Sequence, residues 1–486
     1  MKKESELRLE KLEKIIKMGI DPFPSDIKQK QEIAQILEKK EGSFNIVGKI
    51  MSIRAHGKST FIDIIDASGK IQVYFKADEI GENNYNLLKL IDNGDYIEVS
   101  GELFTTKAGE LTLSAKKFRI VCKTLSPLPD KWFGLKDMEL RYRKRPLDLI
   151  MNPKVKKSLK TRSKIVSTLR EFMNKKGFLE VETPILQPIP GGAAAKPFIT
   201  HYNILDQDMY LRIAPELYLK RLIVGGFEKV FEIGRNFRNE GLSHMHNPEF
   251  TSMEFYWAYQ DYKSLMKFTE NMIEYVTKKI KKKLEIEFQG KKINLKTPYK
   301  VTAFDELIKR DSSIDIYKHL NFEDLKKEVE KNKIELDFSQ IKTWPKLVDE
   351  LYKKVSRPKI IEPIFVIDHP IILTPLAKAK ECDEKKAQRF QLVLAGGIEL
   401  VNAYTEQNNP VEQEKSLEVQ IDLRKSGYEE GEMLDKSYVE ALSYGLPPTA
   451  GWGMGIERLA MLLTDNYSIK EVIPFPTLKK KEGRAL

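Results

Sequence analysis

With 486 residues, 41% hydrophobic and 31% charged, the chain has enough apolar material for a packed core and falls outside the disordered class; its length suits roughly two to four domains. Lys and Arg total 82 against 71 Asp and Glu, a formal net charge of +11, and that surplus suits a polyanion partner such as RNA as readily as a lysine-rich proteome. The two cysteines, Cys122 and Cys382, are far apart and lack CxxC spacing, so neither a disulfide framework nor a zinc site is expected.

The run MKKESELRLEKLEKIIKMGI is charged throughout, with no apolar core of signal-peptide length. No stretch reaches the ~18 apolar residues of a membrane span, so the expectation is a cytoplasmic protein without membrane attachment. Residues 5–18 predict an amphipathic helix with Leu12, Ile15 and Ile16 on one stripe and Gly19 as its stop. Residues 1–42 are therefore expected as a helical extension. Over 43–125 come five short alternating runs, FNIVGKIMSI, TFIDIID, KIQVYF, DYIEVSGELF and ELTLSAKKF, punctuated by Gly57, Ser68-Gly69, Asn93-Gly94 and Ala108-Gly109. That pattern suggests a small closed barrel. Residues 126–150, opening on SPLPDKWFGLKD, are expected as a linker. From 151 to 486 helices and strands alternate irregularly, giving an α+β protein. A helix is predicted over 154–176, with Val166, Leu169, Phe172 and Met173 on one face and Gly177 as its stop. The Lys- and Glu-rich stretch 260–345 is expected as a mostly helical surface insertion, and the tail LKKKEGRAL as frayed.

The stretch FEKVFEIGRNFRNEGLSHMHNPEFTSMEFYWAY, 227–259, holds two strands. In the first, Phe231, Ile233 and Phe237 alternate with Glu232, Gly234, Asn236 and Arg238. In the second, Phe250, Ser252, Glu254 and Tyr256 share one face, with Met253, Phe255 and Trp257 on the other. The loop between them carries Glu240, His244 and His246. Such a hairpin could hold a nucleotide, with Arg on phosphate and an aromatic on the base. It could equally be a solvated polar sheet face.

F-R-N-E followed by H-N-P-E-F-T-x-x-E resembles motif 2 of class II aminoacyl-tRNA synthetases, in the form of the lysine enzymes. GWGMGIERLAMLL, 451–463, resembles motif 3, whose key residue is here Arg458 in the first turn of a helix with Ile456, Leu459 and Leu463 facing inward. The long helix with FLEVETPIL resembles motif 1, the dimer-forming element. The motifs occur in the family's order, and the resemblance spans nearly the whole chain. It implies an N-terminal OB-fold barrel followed by a class II catalytic domain, an antiparallel sheet flanked by helices. It also implies a homodimer that activates lysine with ATP and Mg²⁺ and charges tRNA(Lys).

The resemblance assigns lysine contacts to Gly192, Glu216, Glu254, Tyr256, Asn402 and Glu406, with Tyr404 on the same strand face as Asn402 and Glu406. A ligand with two ammonium groups needs carboxylates. For ATP it implies Arg238, Asn239, Glu240, His246, Asn247, Phe250, Glu399, Leu400, Gly455, Ile456, Glu457 and Arg458. Arg238 and Arg458 would carry catalysis, on the α- and γ-phosphates, and Phe250 would stack on adenine. Glu399 would bind magnesium. It has the opposite strand parity to Asn402, so a bulge is required if both face the site. The chain departs from the family at Gln391, where R-F-E-L is usual, and the spacing to Glu399 is one residue longer than expected. In the barrel, Arg54, Phe61, Gln72 and Glu110 match positions that read a U-rich anticodon. Taken alone, Phe61 also suits a barrel core. Two rivals remain at this point: a paralogue that attaches lysine to a protein, and a non-enzymatic single-strand RNA binder. The first would lack the barrel, and the second would not explain 210–260 or 400–458.

Overall fold

The computed structural model describes residues 2–27, 30–129, 135, 137–427 and 433–480. The chain divides into two compact units, Met1–Lys136 and Asp137–Leu486.

In the first unit, strands Ser43–His56, Ser59–Ile65, Lys70–Lys76, Tyr96–Thr105 and Leu111–Cys122 close into a barrel, joined in the order first, second, third, fifth, fourth. Strand alternation fills it: Ile62 and Ile64 turn inward and are fully buried with Val73, Val99 and Leu113. The Lys2–Lys17 helix adds Ile15 to this core. Among the helix's described side chains the other buried one is Arg8, whose guanidinium donates to the carbonyls of Asn93 and Thr124 at 3.2 and 3.3 Å. Ile16, expected on the buried stripe, is 54% exposed. One helical step past Ile15 carries it off the contact face, and Arg8 completes the stripe instead.

In the second unit an eight-stranded sheet runs Lys300–Ala303, Ile364–Ile367, Arg389–Leu394, Ile398–Thr405, Thr449–Gly455, Glu249–Ala258, Lys229–Phe237, Leu179–Glu180. It is antiparallel except at its two edge pairs. One face buries Phe255, Trp452, Met454, Ala403 and Phe390 against helices Pro153–Lys175, Tyr262–Lys281 and Ile456–Thr464. Leu169, Phe172 and Met173 of the first of these helices are buried as their spacing predicts, with Val166 at the margin. The helix gives way at Gly177, whose φ is +77°.

Residues 138–150 of the expected linker, together with Met151, form helices Met138–Arg143 and Arg145–Met151. They are held by charge and not by an apolar stripe, which is why periodicity missed them. Buried Asp148 pairs with Arg141 and Arg145 at 2.8 and 2.6 Å, and Arg145 donates to the carbonyls of Lys470 and Pro474. Residues 130–134 and 136 of that expected linker, and 481–486 of the expected frayed tail, lie outside the described residues. The stretch 260–345 is more than a surface insertion. Tyr262–Lys281 buries Leu265, Phe268, Met272 and Val276 in the main core, and Lys300–Ala303 extends the sheet. Helices Phe304–Ser312, Phe322–Lys331 and Trp344–Val355 then share a core of their own. No helix among the described residues is long and apolar enough to cross a membrane.

Candidate active site

The open face of the large sheet carries a cavity of about 570 Å³, and three adjacent strands explain its shape. Glu249–Ala258 turns Phe250, Ser252, Glu254 and Tyr256 towards it and Met253 and Phe255 into the core. Thr449–Gly455 has glycine at every cavity-facing position, 451, 453 and 455, with Trp452 and Met454 packed behind. Ile398–Thr405 presents Asn402 and Tyr404. Tyr256, Gly451 and Tyr404 form one cross-strand row, and Glu254, Gly453 and Asn402 the next. The hollow is the row of side chains that the middle strand lacks.

Three carboxylates converge at one end. Glu216 opens the Glu216–Val224 helix, and Lys220 follows one turn later on the same face. The fully buried Lys220 ammonium lies 2.6 Å from Glu216 Oε1 and is also paired with Glu406, just beyond the Ile398–Thr405 strand. The Tyr404 hydroxyl donates to the same Glu216 oxygen at 2.6 Å. The rings of Tyr256, Tyr404 and Tyr438 surround the ammonium, with centroids 5.9, 5.7 and 5.7 Å away. Burial acts to depress the Lys220 pKa, but Glu216 and Glu406 hold it well above its ordinary value. Burial raises Glu406 against the pull of Lys220, and its Oε1 accepts no hydrogen bond among the described residues. Glu254 is pushed up to about 8, by burial first and then by Glu216. Buried carboxylates short of positive partners make a site for a cationic ligand. Gly192, with φ +86°, closes the wall: a Cβ there would lie 2.7 Å from Glu216 Cβ.

At the other end the charge reverses. Arg238, Arg357 and Arg458 all line the cavity. Arg238 lies over the Phe250 ring at 5.1 Å, and Arg458 Nη1 donates to the Glu399 carbonyl at 2.7 Å. Arg357 Nη1 is 3.1 Å from Glu399 Oε1, and its Nε donates to the Gly397 carbonyl at 2.6 Å. Burial lowers the Arg458 pKa, Glu399 opposes this, and Arg357 and Arg238 deepen it. His246 is pushed down to about 4, by burial and then by Arg458, Arg238 and Arg357, which leaves a neutral imidazole. Asn247 is fixed by donating to the Glu249 carbonyl at 2.6 Å and accepting from Thr477 N–H at 3.1 Å. Glu240, Leu400 and Gly455 also line the cavity. Glu457 does too, but its carboxylate accepts from Arg162 at 2.6 Å and from Thr251 N–H at 3.0 Å. Three expected residues stand off the lining. Glu406 is buried beside Gly451, just behind it. Asn239 is exposed beyond the strand end, with its N–H on the Lys196 carbonyl at 2.7 Å. Ile456 faces inward from its helix and is fully buried in the core.

The bulge demanded by strand parity is present. Leu392 pairs with Val401 and Val393 with Glu399, so Leu400 is left over. Glu399 and Asn402 thereby reach the same face. Gln391, opposite Asn402, lines the cavity as well, and its Oε1 meets His369 Nε2 at 3.1 Å. Burial and then Arg389 hold His369 well below its ordinary pKa, and because the Gln391 amide oxygen can only accept, Nε2 is the donor. Lys220, Arg357 and Arg389 are cavity-lining or adjoining cations absent from the sequence reading of the site. Lys220 had a signal, its i+4 spacing from Glu216. Arg357 had none. Arg389, whose Nε donates to Asn402 Oδ1 at 2.8 Å, is betrayed only by register.

In the first unit a polar and aromatic surface lies on the outside of the barrel. Cross-strand partners are Arg54 with Phe61, Phe61 with Tyr74, and Asp63 with Gln72. Phe61 is half-buried but outside the barrel core, its ring 4.8 Å from Tyr74, which lies 6.1 Å from Phe104. Arg54 pairs with Asp63 at 3.0 Å, and Gln72 Nε2 donates to Glu110 at 2.9 Å. Burial acts to raise the Asp63 pKa, but Arg54, Lys70 and Ser52 hold it well below the usual carboxylate range. Arg54, Phe61, Gln72 and Glu110 thus share one surface.

A mostly antiparallel sheet with this two-signed cavity, preceded by a five-stranded barrel, defines a class II synthetase architecture with a nucleic-acid-binding barrel. Residues 137–479 match the family model of tRNA synthetases class II (D, K and N), and residues 44–121 match that of the OB-fold nucleic acid binding domain. The chain is 47% identical over 480 residues to the lysine–tRNA ligase of Pelotomaculum thermopropionicum, covering 98% of this chain and 95% of that protein. It is 45% identical to that of Carboxydothermus hydrogenoformans, covering 98% of both, and 44% identical to that of Thermotoga maritima, covering 99% and 97%. The chain belongs to the class II tRNA synthetases of the D, K and N group.

Proposed function

We propose that this chain is a lysine–tRNA ligase, which activates lysine with ATP and transfers it to the 3′ end of tRNA(Lys). The observation that carries the reading is the sign of one end of the pocket: Glu216 and Glu254 line it, and Glu406, joined to Glu216 through Lys220, stands just behind Gly451 and Tyr256. Aspartate or asparagine would need a cationic or amide-reading pocket, whereas lysine brings two ammonium groups. Pyrophosphate exchange measured with each of the twenty amino acids tests it. Lysine should support exchange far above the rest, and strongest exchange with aspartate or asparagine would overturn the assignment.

The reaction needs no nucleophile from the protein. The lysine carboxylate attacks the α-phosphorus of ATP, pyrophosphate leaves, and a terminal ribose hydroxyl of tRNA then attacks the adenylate carbonyl and releases AMP. Arg238 would neutralise the α-phosphate and Arg458 the γ-phosphate, while Phe250 stacks on adenine and Asn402 and Tyr256 orient lysine. Gly192 backbone and Glu216 would hold the α-ammonium, and Glu406 the side-chain ammonium. No group of three His, Cys, Asp or Glu side chains among the described residues could cage a metal. That suits Mg²⁺ arriving with ATP, since this ion usually takes one or two carboxylates plus substrate phosphates. Glu399, a cavity-lining carboxylate, would be its protein ligand, with the phosphates supplying most of the negative charge around the ion.

Glu254 makes lysine binding pH-dependent. Its carboxyl, pushed up to about 8, is protonated in the free site at lower pH and must ionise to face an ammonium. Lysine KM should therefore rise as pH falls below about 8, approaching about tenfold per pH unit for one proton. Glu254→Gln should flatten the profile and raise KM above it. A wild-type KM constant between pH 6 and 8 would remove Glu254 from the ligand's contacts.

The barrel surface would read the anticodon, with Phe61 stacked on a base. Phe61→Ala should leave pyrophosphate exchange unchanged and impair tRNA charging by roughly 1–3 kcal/mol. Equal losses in both assays would contradict that division of labour. A homodimer is supported by the apolar side chains Leu186, Ile199, Tyr202, Ile204 and Leu205, exposed on and beside the small sheet of Leu186–Gln187, Gln207–Leu211 and Phe198–Tyr202. The place of work would be the cytoplasm, where tRNA and ATP are.

A further inference from the structure

Lys220 has no part in the chemistry above, yet it is the most enclosed cation of the site. Its side chain is fully buried. It reaches from the helix that carries Glu216 to Glu406 at the end of a sheet strand, and it ties the two together. The groups around it come from four elements: Glu216 on its own helix, Glu254 and Tyr256 on Glu249–Ala258, Tyr404 and Glu406 at the end of Ile398–Thr405, and Tyr438 on Lys436–Ser443. Lys220 lies behind the cavity lining, whereas Glu216, Glu254, Tyr256 and Tyr404 form it.

The charge count is informative. Three carboxylates and one lysine leave two negative charges when all are ionised, the complement of a ligand with two ammonium groups. Without Lys220 the same pocket would present three, one more than the ligand's two ammonium groups can meet, and its carboxyls would hold their protons more tightly still. Lys220 also fixes where the carboxylates stand. Glu216 Oε1 takes both the Lys220 ammonium and the Tyr404 hydroxyl at 2.6 Å. Glu406 pairs with Lys220 through one oxygen, while the other, Oε1, lies beside Gly451 and Tyr256, two residues that line the cavity.

We propose that Lys220 is a specificity-determining positioning residue: a built-in ammonium that balances the third carboxylate and aims Glu216 and Glu406 at the two ammonium groups of the amino-acid substrate. The inference rests on the lysine reading. Lys220 touches no reacting atom, so it acts through KM for lysine and through the pH dependence of that KM.

The test is pyrophosphate exchange with the full chain carrying Lys220→Met, which keeps the stem and removes the charge. Lysine KM near pH 7 should rise at least about tenfold, and the ratio to wild type should shrink as the pH is raised, because the unbalanced carboxyls shed their extra proton at higher pH. ATP KM should stay within about twofold, since Lys220 belongs to the carboxylate end and not to the arginine end. A purely structural role predicts a loss that does not recover with pH. The double variant Lys220→Met with Glu406→Gln guards against a single variant that fails to fold. It should use lysine better than Glu406→Gln alone, which leaves the Lys220 charge facing the substrate's ammonium. If wild type exchanges with lysine but Lys220→Met keeps a normal lysine KM, or the double variant is worse than Glu406→Gln, the role of Lys220 is overturned. If wild type does not exchange with lysine, the underlying reading fails first.

Discussion

Arg458→Ala should lower lysine-dependent pyrophosphate exchange by about 100- to 1000-fold, the scale seen when one preorganised donor to developing charge is removed, and should do so without loss of melting temperature. The second half follows from the site's own electrostatics. Burial, Arg357 and Arg238 all lower the Arg458 pKa, and only Glu399 pulls the other way. Its guanidinium is thus held against both desolvation and like charge until a polyphosphate arrives. Alanine relieves that repulsion and loses one hydrogen bond, to the Glu399 carbonyl. Arg458→Lys keeps the charge but not the planar fork, and should recover only part of the rate. Near-normal exchange in Arg458→Ala would remove the residue from phosphate handling. A large fall in melting temperature would mean that it holds the fold, and the loss of rate would then say little about catalysis.

What the sequence disclosed depended on how local each signal was. Strand parity placed Phe250, Ser252, Glu254 and Tyr256 on one face, and they line the cavity together. Parity even required the bulge, because Glu399 and Asn402 could share a face only if one residue were set aside, and Leu400 is that residue. Signals fixed by distant segments were invisible. Arg357 reaches Gly397 and Glu399 across 40 or more residues, and nothing in its neighbourhood marks it. The two helices over 138–151 are anchored by Asp148 and by carbonyls near residue 470, so an apolar period could not reveal them. Lys220 lies between these cases. Its spacing from Glu216 was readable, but the second carboxylate that makes it matter, Glu406, joins only through the sheet.

The central strand allows a sharper test of the amino-acid end. Gly451→Ala should raise lysine KM by at least about tenfold, the equivalent of one lost charge-assisted hydrogen bond, with ATP KM little changed. A Cβ at 451 would stand 2.0 Å from Glu406 Oε1 and 2.5 Å from Tyr256 Cε1. Neither neighbour can yield easily, since Glu406 is 1% and Tyr256 2% exposed. Gly451 is not among the positive-φ glycines, so alanine brings no backbone strain and the effect is steric alone. The displaced carboxylate would weaken its pairing with Lys220, and overpacking in a closed site costs about 1–3 kcal/mol of stability in its own right. Gly453→Ala is the control two residues along the same strand, where a Cβ would meet Glu254 Cγ at 3.4 Å, ordinary contact. Its melting temperature should be essentially unmoved while that of Gly451→Ala falls. Should both variants keep wild-type stability and lysine KM, Glu406 cannot be confined against Gly451, and the lysine side chain must end elsewhere in the cavity.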